Sequence, residues 1–328
     1  MTPHATRRGE QSNALSKMAG INPAPSAPES RFFTGAVHIS ESHITVGVVD
    51  ADHRVVIRAR CALNGAPSYA DLLRTIPAML ARLARTERVK VSGIGIACAP
   101  GMHSSKENCG YFLTWRQRNF LKRSLEDRFQ VLVAMENDFY ALALSEAKWG
   151  AQQGHSRVLY VDVGMRVVRP ALIDRTNLDK AGHPLVQLDS SGYCERWASL
   201  VSEDSMVVWF KRNAPRYRNQ SISTKEILTL AIRGQVSAQR ASVRESINLA
   251  RGLADLIKIH RSTAVVLGGR VFEEVPDLIN AIRHVIDSCL LVPQGPVELA
   301  VASFGTNSNL VGAAALWCPR LATKVDGE

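Results

Sequence analysis

A carboxylate between a strand-like run and a helix-like run is the strongest candidate for chemistry in this 328-residue sequence. Asp138 and the preceding Asn137 follow a β-type run at 129–134 and open a segment rich in Ala and Leu, which is typical of a helix. Open α/β sheets bind ligands at such junctions, where a carboxylate can accept a proton from a substrate hydroxyl. The same residue types also cap helices. The spacing alone leaves both interpretations open, a general base or a helix cap.

The elements that must position this junction predict an α/β protein. Apolar residues recur at helical spacing in segments such as 69–85, and β-type runs alternate with them along the chain. Runs typical of strands occur at 37–50, 54–61, 90–97, 158–163, 169–174, 264–269 and 297–302. This layout predicts two α/β halves around a cleft.

The chain length suggests roughly two domains. Residues 1–31 carry Pro23, Pro25 and Pro28 with little apolar periodicity, and we expect a disordered leader there. An N-terminal lobe is expected at 32–150, completed by a C-terminal helix at 309–328. A C-terminal lobe is expected at 151–308.

The composition is that of an ordinary globular protein, with 46% hydrophobic and 21% charged residues. The net charge of +10 is compatible with anionic partners such as nucleic acid, and equally with a solvated basic surface. Six scattered cysteines without a CxxC pair indicate reduced thiols and a cytoplasmic protein. No signal peptide and no apolar run of about 18 residues is visible, so no membrane association is expected.

An ordered series of short motifs resembles the ROK (repressor, open reading frame, kinase) family of sugar kinases and sugar-responsive repressors. The motifs are Gly93-Ile94-Gly95-Ile96 with Pro100-Gly101, Glu136-Asn137-Asp138, Tyr160-Val161-Asp162-Val163-Gly164, Gly182-His183, Gly192-Tyr193-Cys194-Glu195, Leu267-Gly268-Gly269 and Gly312-Ala313-Ala314-Ala315-Leu316. The resemblance covers roughly 36–316. It implies a two-lobed, actin-like ATPase (ribonuclease H-like) fold with an interlobe cleft, and it makes Asp138 the family's active-site position.

The first phosphate-binding turn of the family is altered here. The matching run, His38-Ile39-Ser40-Glu41-Ser42-His43, lacks the glycines that let backbone N–H groups approach a phosphate, and Glu41 adds a like charge. His38 stands at the family's metal-side carboxylate, although Mg²⁺ prefers oxygen ligands. We interpret His38 and His43 as surface histidines.

The second phosphate-binding turn is altered as well. After Gly164 the chain reads Met165-Arg166-Val167-Val168-Arg169-Pro170, and Val and Pro do not readily take the positive φ that glycine allows. Arg166 and Arg169 could attract an anion, but we interpret them as exposed strand-edge residues. By resemblance, the positions that would contact a nucleotide are Gly164, Gly268, Gly269 and Gly305, and Arg270 replaces a frequent third glycine.

The sugar-binding set of the family is half preserved. By resemblance, Asn137 and Asp138 would bind sugar hydroxyls, and His183 and Glu195 would complete the ring. Lys180 replaces a family carboxylate, a change that favours an acidic sugar or another anion. Alternatively, Glu195 is an acid at a helix N-terminus and His183 an ordinary loop residue.

The zinc site of the family is not expected in this chain. His183 is present, but the Cys-x-Cys pair is missing and Tyr193 stands at the last cysteine position. Tetrahedral zinc needs four such ligands, so we predict no structural zinc.

The first functional hypothesis is a non-catalytic sensor, a regulator or pseudokinase that binds a sugar or an acidic sugar derivative and needs no cofactor. The run Arg7–Asn13 resembles the first helix of the family's helix-turn-helix, but the prolines that follow exclude the remaining helices, so DNA binding has no recognition helix to support it. Basic pairs such as Lys211-Arg212 could touch phosphates or form a solvated face. The apolar helices at 249–259 and 275–291 predict a homodimer face, although core burial explains them equally well.

The second hypothesis is a sugar kinase that uses ATP and Mg²⁺. Asp138 would be the general base that takes the proton as a sugar hydroxyl attacks the γ-phosphate. Phosphoryl transfer depends chiefly on positioning and charge stabilisation, so the altered phosphate turns favour the first hypothesis.

Overall fold

The computed structural model describes residues 32–40, 42–63, 68–99, 113–152, 154–164, 168–174, 185–187, 193–275, 278–289 and 297–317. The strands among them form two five-stranded sheets with the same connectivity. The first sheet has the order β3-β2-β1-β4-β5, with β1 at Phe33–Ile39, β2 at His43–Val49, β3 at Val55–Ala62, β4 at Val91–Cys98 and β5 at Val133–Asn137. The second has the order β10-β9-β6-β7-β8, with β6 at Arg157–Val163, β7 at Val168–Asp174, β8 at Leu185–Gln187, β9 at Ala264–Gly268 and β10 at Glu298–Val301.

In each sheet the first three strands form an antiparallel meander. The next two strands are added in parallel beside the first strand of that meander. The predicted α/β fold class is therefore confirmed, and each half repeats the same pattern.

Helices cover these sheets and connect the strands. They are α1 (Tyr69–Thr86), α2 (Trp115–Phe129), α3 (Asp138–Trp149), α4 (Tyr193–Val201), α5 (Glu203–Asn213), α6 (Thr224–Ile232), α7 (Val236–His260), α8 (Arg270–Glu274), α9 (Leu278–Cys289) and α10 (Ser308–Trp317). Short 3₁₀ turns lie at Pro215–Tyr217 and Gly305–Asn307.

The first sheet is buried on both faces. On one face the apolar residues of β1, β2 and β4 form one continuous core with those of α1 and α2, which includes Ile39, Leu121 and Leu125. On the other face, Ala36 and Ala97 belong to a small-residue core with α3 and α10. Because both faces are covered, β1 and β4 are apolar almost throughout, as buried strands must be.

Glycines let α10 approach the first sheet at backbone contact. A Cβ on Gly95 of β4 would overlap the carbonyl oxygen of Ala313, and one on Gly312 would lie 2.9 Å from the backbone of Ala141 in α3. Only residues without a side chain permit such spacing. This packing holds α3, and with it the carboxylate at its first residue, against the sheet.

The second sheet carries a larger helical layer on one face. Its core joins Leu159, Val161 and Leu267 of the sheet to Trp197, Phe210 and Leu253 of the helices, among others. The opposite face packs against α3 through Phe139 and Ala143, next to Tyr160. Helix α3 therefore contacts both sheets.

Several predicted boundaries shift by a few residues. The helix expected at 119–127 runs over Trp115–Phe129, where Thr114 and Gln117 form a capping box, and β5 begins at Val133. The helix expected from Glu195 to Ala214 is two helices, with Ser202 capping the second. The predicted leader at 1–31 lies outside the described residues, and the lobe boundaries stay a prediction. Among the helices that the structure describes, none combines the length and apolarity that crossing a membrane requires.

Candidate functional site

The junction between β5 and α3 has the form that the sequence predicts. Asn137 is the last residue of β5, and its side-chain oxygen accepts a hydrogen bond from the backbone N–H of Tyr140. Asn137 is therefore the helix cap, which satisfies a backbone donor of the first turn. Asp138 is the first helical residue and is buried, with 9% of its surface exposed. Its negative charge suits this end of the helix dipole.

Arg169 bridges two carboxylates at this junction. Its Nη1 donates to Oδ1 of Asp138 at 2.9 Å, while its Nη2 and Nε donate to Oδ2 of Asp162 at 2.6 and 3.2 Å. Asp162 lies directly opposite Arg169 in the antiparallel pairing of β6 with β7. One guanidinium thus joins a cross-strand partner in the second sheet to the helix that follows the first sheet.

This ion-pair cluster is largely shielded from water. The exposed fractions of the side chains are 12% for Asp138, 11% for Asp162 and 24% for Arg169. The guanidinium carbon also lies 4.9 Å from the centre of the Phe139 ring, within the range of a cation–π contact. Burial weakens solvent screening, so each charge depends strongly on its partners.

The protonation states follow from this geometry. Burial alone would raise the pKa of Asp138, but the nearby His38 imidazole and the Arg169 guanidinium more than offset it and hold the pKa below its ordinary value. Burial also opposes the charge on Arg169, yet the carboxylates of Asp162 and Asp138 raise its pKa above the ordinary value. Asp138 is therefore ionised and Arg169 charged at neutral pH.

His38 approaches Asp138 from the first sheet. It lies in β1 with 5% of its surface exposed, and its Nε2 is 3.9 Å from Oδ2 of Asp138. This distance is too long for a hydrogen bond, and Nε2 has no hydrogen-bond partner among the described residues. The imidazole thus lies beside the carboxylate without binding it.

At the turn between β1 and β2, the His43 ring contacts the side chains of neighbouring residues. Nδ1 of His43 lies 2.7 Å from Oγ of Ser40, 3.0 Å from Oγ of Ser42 and 3.0 Å from Nη2 of Arg60. Burial lowers the pKa of His43, and the charges of Arg60 and His38 lower it further. Because a guanidinium can only donate, an unprotonated Nδ1 accepts from Arg60 with its single lone pair.

Two interpretations from the sequence are wrong. His38 is not a surface histidine, because β1 is a central strand whose two faces are both covered. Arg169 is not an exposed strand-edge residue, because its guanidinium is paired with Asp138 and Asp162. Arg166 lies outside the described residues.

The glycine positions lie at the carboxyl ends of β6 and β9 and in the turn after β10. Gly269 has φ +112° and ψ 152°, and a Cβ there would overlap the carbonyl oxygen of Val163. Only glycine fits this conformation and this contact. Gly164 follows β6, and its carbonyl accepts the backbone N–H of Glu203 at 3.3 Å; Gly305 has φ +50°. Gly268, Gly269 and Gly164 therefore line one sheet edge, where α/β folds place ligands.

Near the Gly268-Gly269 turn, side chains leave only a small cavity. Arg270 lies at 3.3 Å from the carboxylate of Glu203, and a cavity of about 20 Å³ behind them is lined by residues that include Phe272, Glu203 and Glu245. Such a volume holds a single water molecule. Burial raises the pKa of Glu245 to about 8, although Arg244 at 3.7 Å opposes the shift.

Comparison with known proteins shows the family of this chain. The sequence profile of the ROK family matches residues 34–320. This chain belongs to the ROK family. The family resemblance is thereby confirmed, together with the two-lobed, actin-like ATPase fold that its solved members share with this chain.

Relatives within the ROK family include both repressors and kinases. The xylose repressor of Bacillus subtilis is 23% identical over 238 residues, which are 68% of this chain and 60% of the repressor, so the match spans less than two thirds of that relative. The glucokinase of Streptomyces coelicolor is 26% identical over 320 residues, 86% of this chain and 96% of the kinase. The crystal structure of a ROK-family transcriptional regulator, a homologue of the E. coli MLC protein, has a TM-score of 0.71 at 16% identity and covers 93% of this chain and 82% of its own.

Three of the predicted sugar-binding residues cannot be placed against this cluster. Lys180 and His183 lie outside the described residues. Glu195 is the third residue of α4, and its side chain is outside them as well. In the part of the chain that is described, no three His, Cys, Asp or Glu side chains gather as metal ligands. The zinc prediction depends on 183–194 and stays a prediction. The structure does bring Asn137 and Asp138 together with Arg169, Asp162 and His38.

The sequence held one signal for the missed partner of Asp138. Asp162 and Arg169 are placed symmetrically about the turn between β6 and β7, a spacing that pairs them across the hairpin. A cross-strand ion pair could therefore have been predicted. The contact between Arg169 and Asp138 had no such local signal.

Proposed function

We propose that this ROK-family chain is a non-catalytic regulator that senses a sugar or an acidic sugar derivative in the cytoplasm, as a homodimer. The observation that carries the proposal is the Arg169 guanidinium between Asp138 and Asp162. The family's active-site carboxylate is bound to a fixed cation of the protein itself.

This contact makes Asp138 a poor general base. Proton transfer is most efficient when the pKa of the base lies near the working pH, and the pKa of Asp138 is lowered instead. Its Oδ1 already accepts a hydrogen bond from Arg169 at 2.9 Å. A substrate hydroxyl would have to compete with a charged, buried donor.

The surroundings of Asp138 fit a Mg²⁺–ATP complex poorly. Mg²⁺ requires oxygen ligands in a nearly octahedral arrangement, but Asp162 is bound by Arg169 and the matching position in the first sheet is His38. The metal would also meet the positive charge of Arg169. We therefore infer that the protein does not use ATP or Mg²⁺, and the missing Cys-x-Cys pair near His183 leads us to propose that it holds no structural zinc.

Support for a sugar ligand comes from the family. The relatives include a xylose repressor, and one solved ROK protein is a complex with sucrose. The junction at Asn137 and Asp138 lies at the carboxyl end of a parallel strand, where α/β sheets bind ligands. By resemblance, Lys180 replaces a family carboxylate among the sugar-binding positions, and we therefore propose an acidic sugar as one class of ligand.

Isothermal titration tests the proposal. The wild-type protein is titrated with neutral sugars, with their uronic and aldonic acids, and separately with ATP–Mg²⁺. We expect at least one sugar or sugar acid to bind with a Kd of about 1 μM to 1 mM, and no heat from the nucleotide in that range. Micromolar ATP binding accompanied by turnover would refute the regulator.

A sugar kinase remains the second candidate. Two observations favour it: the lowered pKa keeps Asp138 ionised, and Gly269, a nucleotide-side position by resemblance, has φ +112°. Sugar-dependent hydrolysis of ATP by the wild type would establish this function, whereas sugar binding without nucleotide binding would exclude it.

A further inference from the structure

A groove with an apolar floor and a basic rim runs along the first half of α7, beside α5. Val236 and Val243 line it with exposed fractions of 59% and 58%, and Ile247 and Trp209 contribute further apolar surface. Its volume is about 670 Å³. The chain thus leaves large apolar side chains in water along a concave surface, a feature typical of binding sites.

The lining residues of α7 form one continuous stripe. Residues 236, 240, 243, 247 and 251 recur every three or four positions, so they share a helix face. At 1.5 Å per residue, this stripe is about 22 Å long, roughly four helical turns. The groove therefore matches the length of a partner helix of about 15 residues.

The rim carries a consistent positive charge. Arg240 and Arg251 are exposed, and none of the nine residues that line the groove is acidic. Arg244 is held in place: its Nη1 donates to the carbonyl of Leu200 at 3.2 Å, and its guanidinium lies 5.8 Å from the Trp209 ring. The first acid along this face is Asp255, one turn beyond the groove.

We propose that this surface, the α5/α7 groove, docks an acidic amphipathic helix of a partner protein. The apolar face of that helix would cover Val236, Val243 and Ile247, as in other helix-in-groove complexes. Carboxylates along its flanks would face Arg240 and Arg251 and would steer the encounter. The proposal does not depend on which small molecule binds near Asp138.

Charge and surface chemistry argue against two other occupants. A second copy related by a two-fold axis would bring the same arginines against each other. A nucleic acid would meet Val236 and Val243 at the floor, where its phosphates need donors. An apolar helix face with acidic flanks satisfies both the floor and the rim.

The test uses a labelled model peptide of about 15 residues, with leucines at helical spacing and glutamates on both flanks. Fluorescence anisotropy measures its binding to the full chain, and a peptide with lysines in place of the glutamates is the control. We expect the acidic peptide to bind and the basic one to bind at least about tenfold more weakly. Added salt should weaken the acidic complex.

Variants localise the binding. The double variant Arg240→Glu, Arg251→Glu should weaken binding of the acidic peptide about tenfold or more. Val243→Asp should weaken it as well, because it places a carboxylate on the apolar floor. Arg216→Glu, Arg218→Glu makes the same charge change at exposed positions outside the groove and should leave binding within about twofold. Circular dichroism checks that each variant is folded.

Three results would overturn the proposal. One is equal binding of the acidic and basic peptides, or no binding of either. Another is an equal loss in the Arg216, Arg218 control. The third is a different occupant of the groove. Either a duplex DNA probe binds there in place of the peptide, or sedimentation shows a dimer that Val243→Asp dissociates.

Discussion

The hairpins β1–β2 and β6–β7 occupy the same place in two sheets of the same strand order. One matching position, however, carries different residue types in the two hairpins. His38 and Asp162 are each the next-to-last residue of the strand that opens their sheet. Both point to the corner that holds Asp138. In the first hairpin this position carries an imidazole whose Nε2 has no hydrogen-bond partner among the described residues. In the second it carries a carboxylate whose Oδ2 accepts two hydrogen bonds from Arg169.

Under the proposed function, the two hairpins would each lose a metal-binding oxygen in a different way. In the first hairpin, the family resemblance implies that the His38 imidazole stands where a carboxylate is usual. In the second hairpin, the carboxylate of Asp162 is present and pairs with Arg169 on the opposite strand. The same guanidinium also donates a hydrogen bond to Asp138. This bridge also binds the two halves of the site together, so its loss should cost far more stability.

The largest expected effect is that of Arg169→Ala. Removing the guanidinium leaves Asp138 and Asp162 buried without their cation, and we expect a loss of about 3–5 kcal/mol in the free energy of unfolding. Urea denaturation at pH 7 measures it. Arg218→Ala, at an exposed position, should change stability by less than about 0.5 kcal/mol. A loss below about 1 kcal/mol for Arg169→Ala would mean that the bridge does not hold the corner together.

The next largest effect is expected for Gly269, which lies against the last residue of β6. Gly269→Ala should cost about 2–4 kcal/mol, because the new Cβ meets the carbonyl of Val163 and φ is +112°. Gly234→Ala is the matched control: φ is +85°, but the added Cβ meets open space, so only backbone strain of about 1 kcal/mol is expected. Equal losses in the two variants would contradict the close contact. Thermal denaturation of both proteins distinguishes the cases.

A smaller effect is expected from the charge of Asp138. Its pKa is lower in the folded state than its ordinary value of 3.8, so the ionised group stabilises the fold above that pH, and this stability is lost as the pH falls through the folded pKa. Asp138→Asn should therefore be less stable than the wild type by about 1–3 kcal/mol at pH 7.

The difference between these two proteins should shrink below about pH 4. Urea midpoints between pH 7 and pH 3 measure this change. Asp127→Asn, at an exposed position, controls for the general effect of acid. A gap that widens on acidification would mean that the Asp138 carboxylate is not held ionised.

The smallest effect is expected for His38→Leu. The imidazole helps to lower the pKa of Asp138, but its Nε2 lies 3.9 Å from the carboxylate and has no hydrogen-bond partner among the described residues. Replacing it with an apolar side chain of similar size should therefore cost about 1 kcal/mol, less than losing the Arg169 hydrogen bonds. The comparison of the two hairpins predicts this contrast with Arg169→Ala. Equal losses in the two urea titrations would show that both hairpins hold Asp138 alike.

The sequence predicted the parts of this site that depend on neighbours along the chain. Asn137 and Asp138 were placed at a strand-to-helix junction because a β-type run and an Ala-rich helix meet there, and the structure confirms both elements. The α/β class followed in the same way from alternating patterns. The burial of His38 could also have been predicted, because its neighbours Val37 and Ile39 are apolar and belong to a strand that both layers cover.

The parts that depend on distant contacts were not predicted. Arg169 and Asp138 are 31 positions apart and belong to elements of different sheets. Only the packing of α3 against β7 brings them together, and no local pattern encodes that contact. Arg169 was therefore interpreted as an exposed strand-edge residue, because single arginines are mostly exposed in proteins.

The most direct test of the account is phosphoryl transfer itself. Wild type and Asp138→Asn are incubated with ATP–Mg²⁺ and the sugar that binds best by calorimetry, and the formation of ADP is measured against a no-sugar control. Because Arg169 neutralises the carboxylate, we predict no sugar-dependent ADP from either protein. Sugar-dependent turnover by the wild type that disappears in Asp138→Asn would contradict the account and establish Asp138 as a working base.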